Sequence, residues 1–168
     1  MSNWKNKETA ARRAIKDHGF VVFDANVVFR ANCPNIDLVV CGKTRAIYIL
    51  VKSSETPASK DGVVVDGSPW TEDQLRDAPI FNKHRETDNH EATLVVIVDR
   101  HKCGDLSFYI AQPKDLEDLL RERGRAWANT PKKDGTQRSL GFRKELSRDQ
   151  LRRWLEAWEL LASAVSPL

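Results

Sequence analysis

The chain has 168 residues, a formal net charge of +3, 40% hydrophobic residues and 30% charged residues. That balance predicts one soluble domain over residues 1–168 with a substantial core. No apolar run approaches the length of a membrane span, and the opening MSNWKNKETAARR lacks the apolar segment of a signal peptide, so no membrane partner and a cytoplasmic location are expected.

The first element is a helix over Lys5 to His18, in which Ala11, Ile15 and His18 follow helical spacing and Glu8 shares their stripe. Its carboxylate therefore points toward whatever the helix covers. A glutamate near a helix start is also favourable with the macrodipole alone. Phe20 to Phe29 reads as a strand with a bulge or break at Asp24-Ala25-Asn26. Arg30 to Asn35 is a loop from which Arg30 could reach a phosphate, or simply be solvated.

The stretch PNIDLVVCGKTRAIYILVKSS, Pro34 to Ser54, then holds two β-branched runs, Ile36 to Cys41 and Ala46 to Val51, separated by Gly42-Lys43-Thr44-Arg45. This is a hairpin pattern. Asp37 opens the first strand and Lys52 closes the second, so antiparallel pairing brings them side by side. Alternation puts Asp37, Val39 and Cys41 on one face and Ala46, Tyr48, Leu50 and Lys52 together on a face of the partner strand. An acid and a lysine on an apolar surface are costly unless they pair or serve a ligand.

Ser53 to Pro69 reads as a long loop, with Val63-Val64-Val65 as a short edge strand. Thr71-Glu72-Asp73-Gln74 is a capping box with Trp70 and Leu75 as its staple, which starts a helix that Pro79 bends or ends. His84 and His90 stand in a polar segment without metal-like spacing and read as solvated. Leu94 to Val98 is a strand covered on both faces, Leu106 to Ala111 its neighbour, and Pro113 opens a helix over Lys114 to Trp127. A second capping box, Ser147 to Gln150, starts a final helix from Arg148 to Ala164, with Leu151, Trp154, Leu155, Trp158 and Leu161 as one apolar stripe. That stripe packs on the domain or on a second copy, making a homodimer one outcome. Cys33, Cys41 and Cys103 form no CxxC pair, and buried free thiols are expected rather than a disulfide framework or a zinc site.

The order of elements predicts an α/β domain with a mixed sheet of about five strands between helical layers. Charge is uneven along it. Residues 121–153 hold eleven basic and four acidic side chains, a net of +7 that leaves −4 for the rest. A basic, largely helical part over about 114–168, including Lys132, Lys133 and Arg143, suits a phosphate backbone, although a solvated arginine-rich surface has the same composition.

A helix with an inward glutamate, then N-I-D-L-V-V, a turn and I-L-V-K-S-S, resembles the PD-(D/E)XK nuclease superfamily, most of all the archaeal Holliday junction resolvases among restriction-endonuclease-like folds. The resemblance covers the first third of the chain. It implies a metal-dependent DNA endonuclease using Mg²⁺ or Mn²⁺, with Glu8 as the helix acid, Asp37 as the first sheet acid, Lys52 as the motif lysine and Ser53 and Ser54 as the serines that follow it on the nucleic-acid side. The sequence departs from that pattern at Leu50, where the family carries an acid.

Phosphodiester hydrolysis needs a hard cation that neutralises developing charge and supplies hydroxide near neutral pH, and such cations take carboxylate and carbonyl oxygens. Asp37, Glu8 and the Val51 carbonyl are the available donors, with Lys52 placed to orient water or stabilise the phosphorane charge. Glu72 and Asp73, then Glu55, are substitutes for the missing acid, with Asp24 in the preceding strand a further one; each also reads as an ordinary surface or helix-start acid. Three functions follow from this sequence: the nuclease, a catalytically silent nucleic-acid-binding relative, and an interaction module that kept only the fold.

Overall fold

The computed structural model describes residues 4–54, 62–83, 90–101, 103–140 and 143–165. Its centre is a five-stranded mixed sheet in the order β1-β2-β3-β5-β6, built from β1 (Val21–Asp24), β2 (Leu38–Cys41), β3 (Ala46–Ser53), β5 (Leu94–Arg100) and β6 (Leu106–Ala111). The expected α/β class with a five-stranded mixed sheet between helices is what the chain adopts. The hairpin forms as its pattern dictates, with Leu38 opposite Ile49 and Val39 opposite Tyr48. β5 lies parallel to β3, with Val51 opposite Val96, so the chain between them crosses over the sheet. That crossover carries β4 (Gly62–Pro69) and the short helix α3 (Glu72–Arg76).

Two apolar clusters cover the two faces of the sheet. On one, Ala11 and Ile15 of α1 (Trp4–Asp17) and Trp158 and Leu161 of α6 (Trp158–Ala164) pack on Val40, Ile49, Val51, Val96 and Ile110. On the other, Val63 and Val65 of β4, Leu116 and Leu120 of α4 (Pro113–Ala128), Leu146 of β7 (Arg143–Ser147) and Trp154 pack on Val39, Leu50, Val95 and Ile97. The all-buried β5, Leu94 through Asp99, is the apolar strand expected of a position covered on both faces. Among the described residues no helix is long and apolar enough to cross a membrane.

Four expectations fail, each for a physical reason. The strand over Phe20 to Phe29 ends at Asp24, because the Asp24 carboxylate accepts the Asn26 and Val27 N–H groups (2.9 and 3.3 Å) and caps a helix, α2 (Ala25–Phe29). The edge strand expected at Val63–Val65 forms but runs over eight residues of the supposed loop, as β4, and pairs antiparallel with β7 as a separate two-stranded sheet. β7 itself was hidden in the part expected to be helical.

The fourth is the final helix. It breaks into α5 (Arg148–Leu151), a 3-10 turn at Arg152–Trp154 and α6, with Glu156 at φ 51° between them. Glu156 exchanges backbone and carboxylate bonds with Phe108 on β6 (2.8 and 3.0 Å) and accepts the Trp158 indole N–H at 2.7 Å. The break lets Trp154 enter one core cluster and Trp158 the other, so the supposed single stripe wraps around the edge of β6. Leu155, left at the bend, is exposed. Both tryptophans are buried within their own domain and neither offers a face to a second copy. Of the thiols only Cys33 is buried; Cys41 is half-buried and Cys103 exposed, all unbonded to one another. His90 is half-buried, its ring tilted against Phe29 with centroids 4.0 Å apart, while His84 lies outside the described residues.

Candidate functional site

The carboxyl end of β3 is where the two layers meet. α1 approaches from one face of the sheet and β4 from the other, and between them lies a cavity of about 390 Å³ lined by Lys7 and Glu8, by Val51, Lys52 and Ser53, and by Val64 to Ser68. Asp37 sits beneath Glu8. It stands just before β2, its N–H donating to the Ile49 carbonyl (2.8 Å) and its carboxylate accepting the Val51 N–H (2.6 Å). A strand residue's N–H and C=O point toward the same edge, so the Val51 carbonyl faces the Asp37 side as well.

Glu8, Asp37 and Lys52 are thus brought together from three elements. Their titration is correspondingly disturbed. Glu8 is pushed up to about 7, first by burial, then by the negative charges of Asp37 and Asp24 and by a hydrogen bond to Asp37. Burial also raises Asp37, against the opposing pull of the Val51 N–H, the Lys52 charge and Glu8. Near neutral pH the pair therefore holds a proton between two carboxyl groups. Lys52 is lowered, first by burial and also by the Lys83 charge, with Asp66 and then Asp37 opposing. Asp66, rather than the expected Asp37, is the stronger acid partner of Lys52.

Asp66 was invisible in the sequence because Asp66-Gly67-Ser68-Pro69 spells a turn. In the fold this stretch carries two register irregularities between β4 and β7, and such bulges re-aim a side chain. Asp66 accepts from Lys83 (3.0 Å), from the Ser68 N–H (3.1 Å) and from the Ser68 hydroxyl (2.8 Å). Burial works to raise it, but those donors win and hold it at about 2. Lys144, fully buried, lies 3.7 Å from the same carboxylate and donates to the Ser68 carbonyl and hydroxyl and to the Pro69 carbonyl (3.0 to 3.1 Å). Ser53 accepts from Lys7 at 2.8 Å. The cavity therefore has on its β4 side the ionised Asp66, bound by Lys83 and 3.7 Å from Lys144, and on its α1 side Lys7 and Glu8, with Asp37 beneath.

The remaining candidates lie elsewhere. Ser54 is buried and serves the fold, its hydroxyl accepting the Val64 N–H at 3.4 Å. Glu72 and Asp73 are exposed in the first turn of α3, where Glu72 meets Arg76, and neither lines the cavity. Glu55 lies outside the described residues. Arg30 is exposed at the end of α2 with φ 52°. Lys132 and Lys133 are exposed after α4, and Arg143 contributes its backbone to β7. The basic footprint is also narrower than its composition, because Lys144 and Arg121 are buried; Arg121 is spent on Glu117 and on the carbonyls of Gln74, Asp77 and Ala78.

Leu50 is 6% exposed and belongs to the core cluster with Val39, Val63 and Val65, not to the cavity lining. Among the described residues no group of three or more His, Cys, Asp or Glu side chains is arranged to hold a metal. A divalent cation here would rest on Glu8, Asp37 and the Val51 carbonyl. These are hard oxygen donors, and two crowded, desolvated carboxyls are the kind of pair a cation relieves, so the set fits Mg²⁺ or Mn²⁺ that retains several waters. No protein-family model, no curated protein and no solved structure matches the chain.

Proposed function

We propose that the cavity at the end of β3 hydrolyses phosphodiester bonds in DNA, in the manner of the PD-(D/E)XK nucleases the hairpin resembles. The observation that carries this reading is the convergence of Glu8, Asp37 and Lys52 in one half-buried site with all three titrations disturbed, which a purely structural arrangement does not require. When bound, a divalent cation supplies hydroxide near neutral pH and neutralises charge on the phosphate. The chain's own groups do the rest. Lys52, partly desolvated, presents its ammonium to the oxygens on which charge develops as water attacks phosphorus and the P–O bond to the leaving sugar breaks. Asp37, fixed by the Val51 N–H, sets the position of Glu8. Lys7 in the lining, and Lys83 on the far side of Asp66, place positive charge where a phosphate backbone would lie.

A second reading has its own support. The leucine at position 50 is built into the core, and Asp66, the carboxylate that does line the cavity, is bound by Lys83 and Ser68. A chain that binds nucleic acid without cutting it accounts for both features.

The two readings part in one assay. The protein is incubated with single-stranded, duplex and branched DNA in Mg²⁺ or Mn²⁺, beside Lys52→Ala prepared identically. The hydrolytic reading expects cation-dependent cleavage that falls by about a hundredfold or more in the variant. Binding that persists without cleavage selects the second reading.

A further inference from the structure

A second cavity, of about 450 Å³, lies between α4, the segment that follows it and Trp70 and Glu145 of the β4–β7 region. Its floor is Trp70, Leu120 and Gly124, and its wall is Trp127, with Arg123 and Arg138 at the rim. Gly124 is required there, since a Cβ would stand 2.8 Å from Leu75 and 2.9 Å from Trp70. The close approach it permits seats α4 on Trp70. Trp127, 42% exposed, is the large apolar side chain the groove shows to solvent, and the Arg138 guanidinium lies 3.9 Å over its ring, anchored by a bond from Nε to the Thr130 carbonyl. Beyond it the loop from Thr130 to Leu140 carries the exposed Lys132 and Lys133.

We propose that this groove binds single-stranded nucleic acid, with one base stacked against Trp127 and the backbone phosphates along Arg123, Lys132 and Lys133. The combination of a flat aromatic surface and a cationic rim fits a polynucleotide better than an apolar partner. A protein or lipid partner would need a continuous apolar patch, and the other exposed large hydrophobics among the described residues sit apart from the groove, Val21, Phe23, Val27 and Val28 on β1 and α2, Leu106 on β6 and Leu155 at the bend before α6. A duplex keeps its base faces stacked inside, whereas a single strand can turn one out to the indole. Glu145, the carboxylate lining the groove, repels phosphate and so leaves the backbone to the basic rim. The wall between this groove and the first cavity is held by Lys144, which donates to Ser68 and Pro69 carbonyls and lies 5.0 Å over the Trp70 ring. The inference does not depend on hydrolysis at the first cavity.

The test is fluorescence anisotropy in EDTA, with a labelled oligo-dT strand and a duplex of equal length, over a range of salt. Wild-type protein is expected to bind the single strand more tightly than the duplex, with affinity falling as salt rises. Trp127→Leu, which keeps apolar bulk but removes the stacking surface, should weaken single-strand binding about tenfold with the salt slope unchanged. Trp127→Phe should stay within about threefold of wild type, and Lys132→Ala/Lys133→Ala should lower the salt slope by roughly one to two. Absence of single-strand binding at low salt overturns the proposal. So does a Trp127→Leu protein that binds like wild type, or one that loses single-strand and duplex affinity equally. Because no cation is present, failure of cleavage at Lys52 leaves each of these outcomes readable.

Discussion

The two cavities are similar in size and opposite in character. The one at the end of β3 is lined by Glu8 of α1, Lys52 of β3 and Asp66 of β4, with Asp37 against Glu8, and the titration of all four is disturbed. The one beside α4 gathers an indole, a guanidinium stacked on it and further basic residues at its rim. The difference separates two kinds of work. Desolvated groups with competing charges are suited to moving protons and stabilising charge, while solvated cations beside an aromatic plane are suited to holding a strand.

The largest effect that would break this contrast is at position 50. If Leu50 belongs to the core, Leu50→Glu buries a carboxylate among Val39, Val63 and Val65 and should lower unfolding free energy by about 3 kcal/mol or more in cation-free denaturant titrations. A variant as stable as wild type would mean that position 50 opens on the first cavity after all. Next in size is Lys144→Met, which keeps bulk but strands the Ser68 and Pro69 carbonyls. A loss of about 1 to 3 kcal/mol is expected, together with weaker function in both cavities, since the wall is common to them. An effect confined to one cavity would show that the wall is not shared.

The smallest effect is the pH dependence carried by Glu8. Its carboxyl titrates near 7 in the fold and near 4.5 in the unfolded chain, so the folded state binds more protons between those values. Stability from this group is full below about 4.5 and is lost as pH rises through 7. Thermal melts of wild type should therefore fall more steeply over that window than those of Glu8→Gln. Parallel curves would remove the carboxyl pair from the account.

Legibility in the sequence followed locality. The hairpin, the inward Glu8, the Thr71 cap, the Ser147 capping box and β5 could be read because short-range pattern determines them. In the structure the Thr71 hydroxyl accepts the Gln74 N–H, and the Ser147 box closes in both directions. Asp66 could not be read, because β4 exists only through pairing with β7, whose residues lie some eighty positions further on and spell R-K-E-L-S. Lys144 in that strand looked like surface charge and is instead the buried bolt of the site wall. The final helix misled for a related reason. Its apolar spacing is helical, but two tryptophans needed on opposite faces of the sheet and a glutamate that satisfies the open edge of β6 outweigh helical continuity. Asp24 carried a signal that could have been used, since an aspartate before A-N-V-V-F is a helix cap as readily as a strand interruption.

The most direct test of the account is calorimetric titration of Mn²⁺ into the protein at pH 7 in buffers of different ionisation enthalpy, with Asp37→Asn alongside. The account predicts one bound cation, displacement of the proton held by the Glu8–Asp37 pair, and loss of both signals in the variant. Absence of binding, or binding without proton release that survives Asp37→Asn, would contradict a cation site at the end of β3.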